Sequence, residues 1–396
     1  MGKMPMPRPH QDSNLPVLAQ SLDLSVKMYK TPKPIPSATI PRLGRLRKAL
    51  AQAEYDALVV TDLNNIRYLS GFRGSAATLL ITAKEQIIFS DFRYRLQIAA
   101  QSPDYIYVEH RRDGAEKLAQ NAKARGVKSL GFEAQNLTVS LLEPLQKACT
   151  GIELKPAGGI VEKLREIKDA GEIREMAKAA KITDDAYAHM LSLLRPGITE
   201  REVAFEGMLF MLRNGAKTTS FDLIVASGPN SALPHNESGE RPLAKGDLVV
   251  LDIGARLPSG YCADLTRTVV LGKSKPWQRS IYAITYAAQA KGLAAVKAGA
   301  ILRRVDAAAR NYITRQGYGK YFGHGLGHGT GLEIHEAPSL AQGRKEKLAA
   351  GMVVTVEPGI YLPRRGGVRI EDLVVVTKDG CKFLSHADKP KELPEI

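Results

Sequence analysis

Gly246-Asp247-Leu248-Val249-Val250-Leu251-Asp252-Ile253-Gly254 is a short apolar run, rich in branched aliphatic residues, bounded by glycines and interrupted near its end by a single acid. That pattern predicts a buried strand. An unpaired carboxylate is costly to bury, so Asp252 needs a partner. Twelve residues on, past the turn Leu257-Pro258-Ser259-Gly260, Asp264 lies in a second strand pattern running from Tyr261 to Val270. Two antiparallel strands joined in this way bring both acids to one end of a hairpin.

The pattern recurs downstream. Glu357 follows the apolar run Met352 to Val356 and precedes Pro358-Gly359, and Glu371 is the inward acid of a strand pattern from Val368 to Val376. Between the two hairpins lies Gly323-His324-Gly325-Leu326-Gly327-His328-Gly329-Thr330-Gly331-Leu332-Glu333-Ile334-His335-Glu336. His324 and His328 have the i, i+4 spacing of a helical zinc motif, but five glycines within nine residues argue against a helix. The segment reads instead as extended backbone that approaches metals or substrate closely. Taken singly, each acid is a turn former or half of an ion pair, and His235, after Ser227 to Pro234, is an ordinary loop histidine. As a set, Asp252, Asp264, Glu357, Glu371 and His328 offer four carboxylates and one imidazole. Such a set can neutralise two divalent cations and bridge them at about 3.5–4 Å. It suits Mn²⁺ first and also accepts Co²⁺, Zn²⁺ or Fe²⁺.

The whole chain fits an intracellular enzyme. Its 396 residues are 44% hydrophobic and 24% charged, enough for a large core and two domains. Three cysteines, Cys149, Cys262 and Cys381, contain no CxxC pair, which suggests neither a disulfide framework nor a zinc ribbon. No apolar run approaches the length of a membrane span and no secretory signal is visible, so a cytoplasmic location is expected. The formal charge of +15 is concentrated near the start: residues 1–50 hold nine Lys or Arg against two Asp. Residues 1–38 read as a disordered, basic, Pro-rich leader. Its only aromatic residue is Tyr29, so no stacking platform for single strands is suggested and nucleic acid is not expected as a partner.

From residue 39 the elements alternate between α and β. An amphipathic helix opens at Pro41, strands are expected at Ala57 to Thr61, Ala77 to Thr82 and Gln86 to Ser90, and a helix follows Asp91. This predicts a small α/β domain over 39–157. Pro156-Ala157-Gly158-Gly159 reads as a linker to a second domain over 160–390. There, helices are expected over Val161 to Lys168, over Glu172 to Leu194, after the capping box Thr199 to Glu202, and over Ile281 to Ala298.

The order Asp252, Asp264, His328, Glu357, Glu371, with His235 before the first aspartate and His335 seven residues after His328, resembles the M24 metallopeptidases of the pita-bread fold. That family includes aminopeptidase P, prolidase, methionine aminopeptidase and the metal-free creatinase. The resemblance spans about residues 41 to 385 and implies a creatinase-type N-terminal α/β domain followed by an α+β domain with a curved antiparallel sheet. It implies that Asp252 chelates one metal, that His328 and Glu357 hold the other, and that Asp264 and Glu371 bridge them. The spacing from Asp252 to Asp264 is one residue longer than the family pattern, which a longer turn at Pro258 absorbs. His235, His324 and His335 match the family's non-ligand active-site histidines, and Arg369 and Tyr361 match residues that support the site.

The implied chemistry is attack by a metal-bridging hydroxide on an N-terminal Xaa-Pro bond, with Glu357 relaying the proton. Peptides with proline second are the expected substrates, and a homodimer the expected assembly. Asn65 to Phe72 and Asp91 to Tyr94 resemble segments of the creatinase-type N-terminal domain, and Gly71 to Ser75 with Asp91 to Tyr94 resembles a short bacterial-type aminopeptidase P, which is therefore the first expectation. Prolidase is the alternative, and a non-catalytic peptide- or nucleic-acid-binding module of the same fold is the third.

Overall fold

A computed structural model describes residues 39–396, so the expectations placed on residues 1–38 lie outside the described residues. In the first domain a six-stranded sheet runs in the order Ile106–Glu109, Gln86–Ser90, Thr78–Thr82, Ala57–Val60, Ser129–Phe132, Glu153–Pro156. The central strand Ala57–Val60 is wholly buried, antiparallel to Thr78–Thr82 and parallel to Ser129–Phe132. Its side chains alternate between faces, as a two-residue period requires. Leu58 and Val60 pack with Leu43, Leu46 and Leu50 of the helix Thr39–Gln52, while Ala57 and Val59 pack with Leu118 and Leu145.

The stretch Pro156 to Gly159 is a packed corner. Pro156 closes the last strand, Ala157 N donates to Phe132 O at 2.8 Å, and the helix Ile160–Arg165 returns against Thr39–Gln52. That helix stops at Arg165 and does not reach Lys168, because Ile167 pairs in extended form with Met352. Asp169 then caps the helix Ala170–Leu193 in a reciprocal box with Glu172. Thr199 and Glu202 form the expected box at the head of Glu200–Arg213.

The second domain has two halves facing one another. A three-stranded antiparallel sheet places Leu248–Ile253 between Ile224–Ser227 and Leu265–Val270, and the helices Ala170–Leu193 and Glu200–Arg213 cover it. A five-stranded sheet runs Glu336–Leu340, Gly327–Gly329, Val353–Val356, Asp372–Val376, Cys381–Phe383. The helices Pro276–Ala295 and Leu302–Arg315 pack in the core of that half. The helix expected at Ile281 begins at Pro276, where the ring's fixed φ suits a first turn.

Two strand expectations are corrected. The second strand of the first hairpin starts at Leu265 rather than Tyr261, which leaves Asp264 one residue ahead of the ladder. The turn between is closed by Leu257 N to Tyr261 O at 3.0 Å, with Gly260 at φ +94°. Val368 to Val376 is likewise two strands: Gly366–Arg369 pairs with Gly359–Leu362, and Asp372–Val376 pairs with Val353–Val356. At the break Glu371 N donates to Thr266 O at 3.0 Å, stitching the two halves together where the acids converge.

Candidate metal centre

All eight residues singled out in the sequence line one cavity of about 370 Å³ between the two halves: Asp252, Asp264, Glu357 and Glu371, with His235, His324, His328 and His335. Asp252 and Thr266 are opposite one another in the hairpin, and Thr266 Oγ1 stands 3.0 Å from Asp252 Oδ1 and 2.7 Å from Glu371 Oε2. Thr355 plays the same part beside Glu357, donating to its Oε1 at 3.0 Å while accepting from His328 N. Arg369 Nη2 donates to Asp252 Oδ2 at 2.7 Å. Sequence inspection passed over both threonines. Thr266 bonds acids 14 and 105 residues away, and Thr355 ties Glu357 to the backbone of His328, 27 residues back.

Asp264, His328 and Glu371 offer ligand atoms within 4.8 Å of one another. Asp264 and Glu371 are 5% and 1% exposed, and burial, followed by the charges of neighbouring carboxylates, holds both well above the usual carboxylate range. Glu357 is also raised, chiefly by burial. His328 is held neutral because burial lowers its pKa. Its Nδ1 faces Gly329 O at 3.0 Å, so the proton sits there and the Nε2 lone pair points outward. That lone pair meets Asp264 Oδ2 at 3.5 Å and Glu357 Oε1 at 3.3 Å. Three acceptors thus face one another, and Glu371 Oε1 is buried without a hydrogen-bond partner. A divalent cation reconciles such a set, so the residues present fit a metal pair.

His335 stacks edge-on against His328 at 4.3 Å between centroids, and burial and His328 lower its pKa. His235 is exposed at the mouth. The segment carrying His335 is anchored from the first domain. Asn64 Nδ2 donates to Glu333 Oε1 at 2.9 Å, and Arg165, itself bonded to Asn65 Oδ1 at 2.8 Å, pairs with buried Glu336. Lys168 reaches the other Glu336 oxygen at 3.1 Å.

The fold and this cluster define a two-domain metal-dependent hydrolase. The model of metallopeptidase family M24 matches residues 174–378, and the creatinase/prolidase N-terminal domain matches 42–167. The chain belongs to metallopeptidase family M24, whose peptidases use divalent metal, and has its pita-bread fold. It is 44% identical to the solved structure of an Xaa-Pro dipeptidase from Bacillus anthracis, with a TM-score of 0.87 over 90% of this chain and 100% of that one. An X-Pro aminopeptidase from Thermotoga maritima is 33% identical, with a TM-score of 0.82 over 88% and 100%. The Xaa-Pro dipeptidase of Pyrococcus horikoshii is 39% identical over 84% of this chain and 93% of its own length. These relatives favour the dipeptidase alternative over the aminopeptidase P expectation. No helix among the described residues is long and apolar enough to cross a membrane.

Proposed function

We propose that this chain is an Xaa-Pro dipeptidase. The observation that carries the proposal is a single cavity of dipeptide size holding the five acid and histidine ligands, in a chain 44% identical to a protein of that activity. In the proposed assignment Asp252, Asp264, His328, Glu357 and Glu371 would together hold the two cations. Manganese is the first ion to load. When bound, the metals supply Lewis acidity and make water nucleophilic near neutral pH.

The protein's own residues do the rest. Glu357, raised by burial and steadied by Thr355, takes a proton from the attacking water and passes it to the leaving nitrogen. His235 and His335 donate to the carbonyl oxygen as it gains charge. The acid cluster receives the substrate's α-amino group, which restricts cleavage to the first bond. Phe221, Ile224 and Ile334 supply an apolar wall for the proline ring.

One observation favours a second reading, that of an aminopeptidase acting on longer peptides. A dipeptidase has to recognise a terminal carboxylate, and Arg369 is the one arginine lining the cavity. Its guanidinium is already engaged by Asp252, Thr266, Tyr361 and Pro234 O. Steady-state kinetics of the manganese-loaded enzyme on Ala-Pro and Ala-Pro-Ala separate the two. A kcat/KM for the dipeptide at least tenfold higher supports the dipeptidase, and the reverse ratio supports the aminopeptidase. Hydrolysis of neither overturns both.

A further inference from the structure

A second cavity, of about 390 Å³, lies where the two domains meet and shares no lining residue with the catalytic one. Three arginines line it: Arg42, Arg67 and Arg73. Arg42 is committed to Asp169 at 2.8 Å and Glu172 at 3.3 Å, Glu172 also accepts from Tyr261, and Glu175 is paired with Lys178 at 2.7 Å. Of the carboxylates on the wall only the exposed Asp104 is left over. Neither Arg67 nor Arg73 places its guanidinium in a hydrogen bond or ion pair among the described residues, and Arg67 Nε is fully buried.

Arg67 belongs to the helix Leu63–Ser70 of the first domain but lies flush on the hairpin turn of the second. A Cβ on Gly260 would fall 2.0 Å from its Nη1. Burial, then the neighbouring charges of Arg256 and Arg73, pull its pKa down to about 10. Two guanidinium groups thus face the cavity without a carboxylate in ion-pair contact among the described residues. Uncompensated charge away from water is unfavourable, and the guanidinium fork matches a carboxylate in bidentate fashion. Ile40, Tyr68 and Leu332 give the same cavity an apolar wall.

We propose that the junction cavity binds a small carboxylate, held by Arg67 with Arg73 as the second cation. The carboxylate is that of a small free organic acid.

The test is calorimetric titration of the metal-loaded full chain with succinate. Saturable binding in the millimolar range or tighter is expected. It should persist in Glu371→Gln, which removes succinate bound at the metal centre from the measurement. It should weaken about tenfold or more in Arg67→Met and in Arg73→Met. Thermal melting keeps the test informative if Arg67→Met folds poorly: succinate should raise the Tm of the native chain and leave that of Arg73→Met unchanged. No uptake by the native chain, or native affinity in either arginine variant, overturns it.

Discussion

His324 Nε2 lies 2.9 Å from the Tyr361 hydroxyl, which also receives Arg369 Nη1 at 3.0 Å. Burial keeps His324 neutral, and its Nδ1 faces Gly325 O at 2.8 Å, so Nδ1 carries the proton and Nε2 accepts from Tyr361. Direction is thereby fixed along the whole line: Arg369 donates to Tyr361, Tyr361 to His324, and Arg369 again to Asp252. His324 has no N–H left for substrate.

His324 and Tyr361 should therefore act as a unit. Tyr361→Phe is expected to keep its full metal content and to lose about 10- to 100-fold in kcat, the usual effect of removing a group that orients a ligand. His324→Ala should lose a similar amount, and the double variant little more. Additive losses in the double-mutant cycle would show that His324 contacts substrate independently.

Removing a bridging acid should have opposite effects with and without metal. Glu371→Gln relieves carboxylate repulsion at a buried position, so the metal-stripped variant should melt above the metal-stripped native chain. Manganese should then stabilise it far less, and elemental analysis should return fewer than two ions per chain. A native-like metal content in this variant removes Glu371 from the ligand set.

The glycines around His328 are expected to be intolerant for steric reasons. A Cβ on Gly327 would meet Thr355 O at 2.0 Å, and one on Gly329 would meet Ala337 O at 2.2 Å. Backbone cannot yield as a side-chain tip can, so Gly327→Ala should cost about 1–3 kcal/mol and displace His328 from its neighbours. Denaturant unfolding measures the first effect and manganese affinity the second.

Glu336 gives the fold a defined acid limit. Burial raises its pKa, but Lys168 and Arg165 outweigh burial and hold it below its ordinary value of 4.5. A depressed folded pKa contributes stability that is present above the unfolded value and lost as pH falls through the folded one. Glu336→Gln leaves buried Lys168 without a carboxylate and Arg165 with only its longer contacts to Glu333 and Asp62, and should cost about 3–5 kcal/mol at pH 7. The gap from the native chain, read from urea unfolding, should hold down to about pH 5 and narrow below 4.5. A gap independent of pH would assign the loss to packing alone.

The centre was legible because its acids interrupt apolar strands, where nothing but a partner explains them. Asp252 and Glu357 carry that signal plainly, and the glycine spacing around His328 signalled extended backbone. Asp264 and Glu371 were placed inside strands because hydropathy continues across them. At Ala263 the backbone carbonyl accepts from Ser220 Oγ, and after Ile370 the chain is held by Glu371 N to Thr266 O, contacts between distant segments that no local pattern encodes. Thr266, Thr355 and Arg67 escaped notice for the same reason: each matters through what a distant segment sets beside it.

Asn64 reaches from the first domain to Glu333, and Asn65 of the same domain holds Arg165, which pairs with Glu333 and Glu336 on either side of His335. The first domain is thus a jig for the His335 imidazole as well as a neighbour of the cleft. A rotation of one domain against the other that is too small to open the cavity would still re-aim that imidazole. In this chain, the aim of His335 is inherited from the seating of two lobes, and a substitution far from the acid cluster can shift it while leaving that cluster in place.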